Sequence, residues 1–294
     1  MRIHASMDHI PEIIYPVVTM GSFDGVHAGH RVIISRLNSL AREIGGNSVL
    51  ITFHPHPRKV LYPYTKGKEL RLITCMDEKC SLLEETGLDH LLVLEFTKEF
   101  ALTTSQRFVE EYLVQKLHPH TIVVGFNHFF GHNREGNFDA LYRVSEKYGF
   151  KVEEIPEQEV QNETVSSTKI RKALANGHIQ RANAYLEHHF IMLAELDFLS
   201  AESLLFKRSS YRIQINDPNK LLPPEGSYAV SFHSGKGPVK ALVRISSAGR
   251  FLFPLIDDNC RVSGSTFIRF QKHLESGGMD GIEREISMVE ELIY

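Results

Sequence analysis

The sequence predicts an α/β fold in two parts, a doubly wound parallel sheet followed by a small antiparallel β-barrel. Three observations predict it. Short apolar runs alternate with stretches of helical period over roughly the first 170 residues, the pattern of strands joined by crossover helices. Near residue 185 this gives way to short strands separated by Pro, Gly, Asn and Ser. A glycine-bearing turn, "GSFDGVHAGH" at 21–30, joins the first strand pattern to the first helix pattern, where sheets of this kind hold a ligand.

The elements follow in order. "IIYPVVTM" and "NSVLITF" are β-branched and apolar on both faces, as buried parallel strands are. Between them Ile33, Leu37, Leu40, Ala41 and Ile44 recur at helical spacing, and Gly45-Gly46 supplies a stop. "DEKCSLLEETG" reads as helix and "HLLVLEF" as strand. "TSQRFVEEYLVQKL" reads as helix, with Thr104 in position to cap it. Then come "TIVVGF" as strand, "NFDALYRVSEKYG" as helix, "FKVEEIP" as strand, and "SSTKIRKALANG" and "IQRANAYLEHH" as helices. After residue 185, "SYRIQI", "SYAVSFH", "KALVRIS" and "GRFLFPLI" read as barrel strands, closed by the helix "GIEREISMVEELI". The expected domains are therefore 1–185 and 186–294.

Bulk properties narrow the function classes. The 294 residues are 42% hydrophobic and 23% charged, enough for real cores. A net charge of -3 offers no basic surface for nucleic acid, so an anionic ligand needs a local site. Neither a membrane span nor a signal peptide is visible, and a cytoplasmic protein with no nucleic-acid or membrane partner is expected. Cys75, Cys80 and Cys260 are odd in number and form no CxxC pair, which argues for three buried thiols. Oligomeric state is not legible.

His27 and His30 fall three apart on the first turn of the helix after "GSFDGV". Glycines let a backbone approach a ligand closely, and a helix start offers unpaired N–H groups to an anion. Two imidazoles there can donate to phosphate oxygens, or to charge developing on them. Taken alone, an HxxH pair also fits a helix start with two solvated histidines. "SSTKIR" at 166–171 has similar sense: Ser166, Ser167 and Thr168 cap a helix start, and Arg171 follows one turn on as a forked cation. A serine-rich cap with a solvated arginine is the plainer reading. "HPHP" at 54–57 holds too few ligands for zinc, and its prolines suggest a rigid loop.

Four ordered segments carry a resemblance. "GSFDGVHAGH", "TFHPHPRKVL" at 52–61, "VVGFNHFFGHNREGN" at 123–137 and "VSSTKIRKAL" at 165–174 together resemble the FMN adenylyltransferase module of bacterial bifunctional riboflavin kinase/FAD synthetases. The first contains the HxGH signature of the nucleotidyltransferase superfamily. The resemblance implies a Rossmann-like domain that joins ATP and FMN into FAD and pyrophosphate. Mg2+ is expected on chemical grounds, to neutralise the triphosphate, and because it usually keeps waters no dedicated protein ligands are assigned to it. By the same resemblance His27, His30 and Arg171 would be catalytic. Gly21, Ser22, Phe23, Asp24, Ser166, Ser167 and Thr168 would hold the nucleotide, and Pro55, His56, Pro57 and Asn127 would lie on the flavin side. Arg134 admits both a phosphate contact and a plain surface charge.

In that family the barrel is a riboflavin kinase whose start carries a glycine-rich stretch leading to G-F-P-T-A-N. Here "LLPPEGSYAV" resembles the frame, but that motif is absent and residues 187–224 contain no glycine. The later strand that bears the kinase glutamate reads "GRFLFPLIDDN", with Asp257 and Asp258 at other family positions. A barrel without kinase activity is expected. The alternatives are a non-catalytic flavin or nucleotide sensor and a bifunctional enzyme with an altered kinase site.

Overall fold

The computed structural model describes all residues except 9, 161–162, 201–208, 235–236, 256–263, 275–281 and 293–294. Asp257, Asp258 and Cys260 thus lie outside the described residues, as does part of the glycine-free stretch. The chain forms two compact units, 1–70 with 79–165 and 71–78 with 166–294.

The first unit is a six-stranded sheet, all of it parallel. Its strands are β1 (Arg2–His4), β2 (Val17–Met20), β3 (Ser48–His54), β4 (His90–Glu95), β5 (Thr121–Gly125) and β6 (Lys151–Ile155). They run in the order β1-β4-β3-β2-β5-β6. After β2 the chain builds outward in one direction through β3 and β4, then returns to build β5 and β6 on the other side. The reversal lies between β2 and β5, and ligands of such sheets sit beyond the strand ends at that point.

β2 and most of β3 are buried, as strands covered on both faces must be. Helix α1 (Ala28–Glu43) turns Ala28, Ile34, Leu37 and Ala41 inward and packs on β2, β3 and β5. Gly45, at φ +64°, closes it as its sequence position predicts. Val18, Met20, Ile51, Leu92, Phe108, Leu113, Val124 and Leu141 are part of one core.

In "HPHP" Pro55 and His56 form the short loop from β3 to α2 (Pro57–Leu61), which starts at the second proline: His56 Nδ1 accepts from Arg58 N at 3.2 Å, and proline suits a first helical position. α3 (Met76–Glu84) matches expectation. The next helical stretch is α4 (Ser105–Arg107) and α5 (Gln115–Leu117) joined by a π-helical Phe108–Val114, a widening that the periodicity does not announce. Thr104 caps it by accepting from Arg107 N at 3.2 Å. α6 (Phe138–Tyr148), capped by Asn137, precedes β6. A short hairpin, β7 (Glu159–Val160) with β8 (Glu163–Thr164), ends this unit.

The second unit holds α7 (Ser167–Ala175), α8 (Ile179–Leu186) and a closed six-stranded antiparallel barrel. Its strands are β9 (Phe190–Ser200), β10 (Ser210–Gln214), β11 (Gly226–His233), β12 (Pro238–Ser246), β13 (Gly249–Pro254) and β14 (Gly264–Leu274). α9 (Ile282–Glu291) covers β11 and β12 through Ile286 and Val289. Sequence reading missed β9 and β14, which pair with each other over seven positions and close the barrel.

Segment 71–78 is stitched into this second unit. Lys220 Nζ lies 2.6 Å from Glu78 Oε2 and donates to the carbonyls of Ile73 and Ile191, each at 2.6 Å. The ammonium also sits 4.3 Å from the centre of the Phe190 ring. Glu78 accepts from Cys75 N at 2.9 Å and Leu193 N at 2.8 Å, so the buried pair is ringed by partners. Burial, with Glu78 beside it, pushes the Cys75 thiol up to about 12. Cys80, expected to be buried, is only half-buried on α3.

Candidate active site

The turn between β2 and α1 is a tightly folded piece of backbone. Phe23 (φ +45°), Gly25 (φ +88°) and Val26 (φ +41°) all adopt left-handed conformations, which a β-branched residue such as Val26 rarely does. Such strain survives only where surroundings impose it. Phe23, Asp24, Val26 and His27 are buried, and Lys79 Nζ reaches from α3 to donate to Ser22 O at 2.7 Å and to Thr52 Oγ1 at 3.3 Å. At Gly21 a Cβ would stand 3.1 Å from the Phe23 ring, so a side chain there would push that ring by a few tenths of an ångström.

His27 occupies the cap position of α1, and His30 follows in its first turn. Their rings stack with centroids 3.6 Å apart and planes 16° from parallel. The Phe23 ring lies 4.7 Å from His30 on the turn side. Burial, the adjoining His27 and the Lys79 ammonium hold His30 well below the ordinary histidine range, so it is neutral at pH 7. Its Nδ1 is buried and accepts or donates no hydrogen bond. The helix start, two imidazoles and the glycine turn thus meet at the carboxyl end of β2, beside the reversal of strand order.

The neighbouring strand ends supply the rest of this face of the unit. β3 ends at His54, and Pro55, His56 and Pro57 lead from it into α2. Beyond β5 stand exposed Phe126, Asn127 at φ +58°, and Phe129. Arg134 lies 4.7 Å over the Phe129 ring, a surface stacking arrangement. His128 has a buried Nε2 with no hydrogen-bond partner, and burial lowers its pKa to about 4. Sequence reasoning missed Lys79, Thr52 and His128. Thr52 and His128 fall inside two of the quoted segments, where the roles were assigned to other residues, and Lys79, a buried lysine on an amphipathic helix, leaves no local signal.

"SSTKIR" belongs to the second unit. Ser166 caps α7 by accepting from Lys169 N at 3.3 Å, and Ser167 and Thr168 form its first turn. Arg171 Nε donates to Arg71 O at 2.9 Å, tying α7 to segment 71–78. Among the described residues no three His, Cys, Asp or Glu side chains converge as a metal site.

His128 makes stability depend on pH. Its folded pKa lies below its unfolded one, so between pH 6.5 and about 4 the unfolded chain binds a proton that the folded chain does not. Stability is therefore lost as pH falls through that window, by about 3 kcal/mol from this group. Urea unfolding at pH 7 and at pH 4.5 should show the loss, with a shallower one for His128→Phe. Parallel losses in the two proteins would assign the effect elsewhere.

The FAD synthetase family matches residues 12–169. A bifunctional riboflavin kinase/FMN adenylyltransferase of Listeria monocytogenes is 30% identical over 219 residues, which span 74% of this chain and 68% of that protein. Its counterpart in Escherichia coli is 33% identical over 174 residues, 59% of this chain and 55% of its own length. That of Haemophilus influenzae is 35% identical over 169 residues, 58% and 54% respectively. Among solved structures, one described as a macrolide-efflux protein from Streptococcus pneumoniae superposes with a TM-score of 0.82. It has 24% identity over 98% of this chain and 97% of that one, a likeness of fold. No helix among the described residues is long and apolar enough to cross a membrane.

Proposed function

Because the chain belongs to the FAD synthetase family of nucleotidyltransferases, we propose that it transfers AMP from ATP to FMN, giving FAD and pyrophosphate. An FMN phosphate oxygen attacks the α-phosphorus, the bond from that phosphorus to the bridging oxygen breaks, and pyrophosphate leaves with the electron pair. A phosphate monoester is largely dianionic at pH 7, so the nucleophile needs no general base. What remains is alignment and charge stabilisation.

The observation that carries this reading is the stacked pair at the start of α1, buried His27 and half-buried His30. A neutral imidazole offers one N–H donor with little competition from water. The start of α1 adds backbone N–H groups beside it. Gly21, Ser22, Phe23 and Asp24 form the floor on which the nucleotide rests, held up by Lys79. Ser166, Ser167, Thr168 and Arg171 serve as a second phosphate cradle. Pro55, His56, Pro57 and Asn127 receive the flavin, with the exposed Phe126 and Phe129 as apolar surface for its ring system. Mg2+ enters on the triphosphate, as part of the substrate.

Residues 1–185 carry this reaction in our reading, and 186–294 form a kinase-like barrel that has lost its own. β13 reads "GRFLFP", without a carboxylate to serve as base, and residues 187–224 lack any glycine for close approach to phosphates. Product analysis with ATP and Mg2+ tests both halves. FMN should yield FAD, and riboflavin should yield neither FMN nor FAD. FMN formed from riboflavin would restore the kinase. Tight flavin binding with no product in either tube would make the protein a sensor.

A further inference from the structure

Past its first turn, α1 carries a second polar stripe that the proposed reaction does not use. Arg31, Ser35, Asn38 and Arg42 follow at helical spacing, and with Thr86 and Asp89 of the loop before β4 they line a cleft of about 400 Å³. The cleft lies wholly in the first unit.

Its polar groups are only partly satisfied. Asn38 Nδ2 donates to Thr86 O at 2.9 Å, which fixes the amide and leaves its buried Oδ1 with no donor. Arg31 carries a buried Nη1 with no acceptor. Arg42 leans back one turn, its Nε donating to Asn38 O at 3.2 Å. The carboxylate lining the cleft, Asp89, has its Oδ2 committed to Ser48 N at 2.8 Å and Ser48 Oγ at 3.0 Å. The cleft therefore holds two guanidiniums against one engaged carboxylate. Buried donors and acceptors left unmatched are rare in folded proteins and mark places where a partner fits.

The order along the helix gives the ligand its shape. The two arginines stem from helix positions about 16 Å of rise apart, Arg42 leans back toward Asn38, and an unmatched acceptor lies between them. We infer that this cleft binds an elongated small molecule with an anionic group, such as a phosphate, at each end and a hydroxyl between them. The guanidiniums take the anionic ends as forked donors, and Asn38 Oδ1 takes the hydroxyl. This reading is independent of the reaction proposed above.

Fructose 1,6-bisphosphate is a suitable probe, with fructose 6-phosphate and inorganic phosphate as controls, titrated calorimetrically into the whole protein. The bisphosphate should bind at least tenfold more tightly than either control. Arg42→Glu should bring it down to the level of fructose 6-phosphate while leaving ATP affinity unchanged. Saturating ATP should not displace it. Equal affinity for bisphosphate and monophosphate, equal binding by wild type and variant, displacement by ATP, or no binding at all each overturns the inference. If Arg42→Glu melts early, Arg42→Gln gives the same comparison, with a smaller expected loss of about fivefold.

Discussion

His30→Ala should lower kcat for FAD formation by about two to three orders of magnitude, while KM for FMN changes much less. His30 is a neutral imidazole in a buried site, with Nδ1 uncommitted and its ring fixed between Phe23 and His27. A donor so placed strengthens its bond as charge builds on the phosphate oxygens, and it loses little in reorganising. Alanine removes the donor and opens a void beside the His27 ring, so the effects of His27→Ala and His30→Ala will not add. His30→Asn, which keeps an N–H donor, should recover part of the rate. Melting curves distinguish a lost donor from a lost fold. A well-folded His30→Ala enzyme with more than a tenth of wild-type kcat would remove His30 from the chemistry.

The second large effect concerns stability. Lys220→Met or Glu78→Leu should each cost about 3–5 kcal/mol, because either change strands a buried charge from its partner. Glu78 would be left accepting only two backbone N–H groups, and Lys220 would keep two carbonyls and the Phe190 face. Replacing both together should cost much less than the sum, since neither charge then remains buried alone. Hydrogen exchange of β9 amides follows the second unit without assuming that the whole chain unfolds in one step. Single variants that lose under 1 kcal/mol would show that water or another side chain already meets these charges.

Much of this was legible in the sequence, for identifiable reasons. Fully buried strands such as β2 and amphipathic helices such as α1 announce themselves by period, and Thr104 and Ser166 mark helix starts by chemistry. The histidine turn was legible because strand, glycines and helix follow one another without interruption. β9 and β14 were not, because their role is to close a barrel, a relation between segments about 70 residues apart that no local pattern encodes. Lys79 was invisible for a similar reason. Its partners Ser22 and Thr52 lie 57 and 27 residues away, and on α3 it is one more charged residue. The division of the chain was hidden too, since 71–78 reads as the approach to a helix and shows nothing of Lys220.

That division bears on how such a protein can change over evolutionary time. The chain passes between its compact units three times, after 70, 78 and 165, so neither unit is a continuous stretch of sequence. A truncation at the end of α8 would excise Lys220 and the β9 amide that Glu78 depends on, leaving an acidic side chain where the barrel had been. A single deletion of the C-terminal part therefore removes partners on which Glu78 of α3 depends.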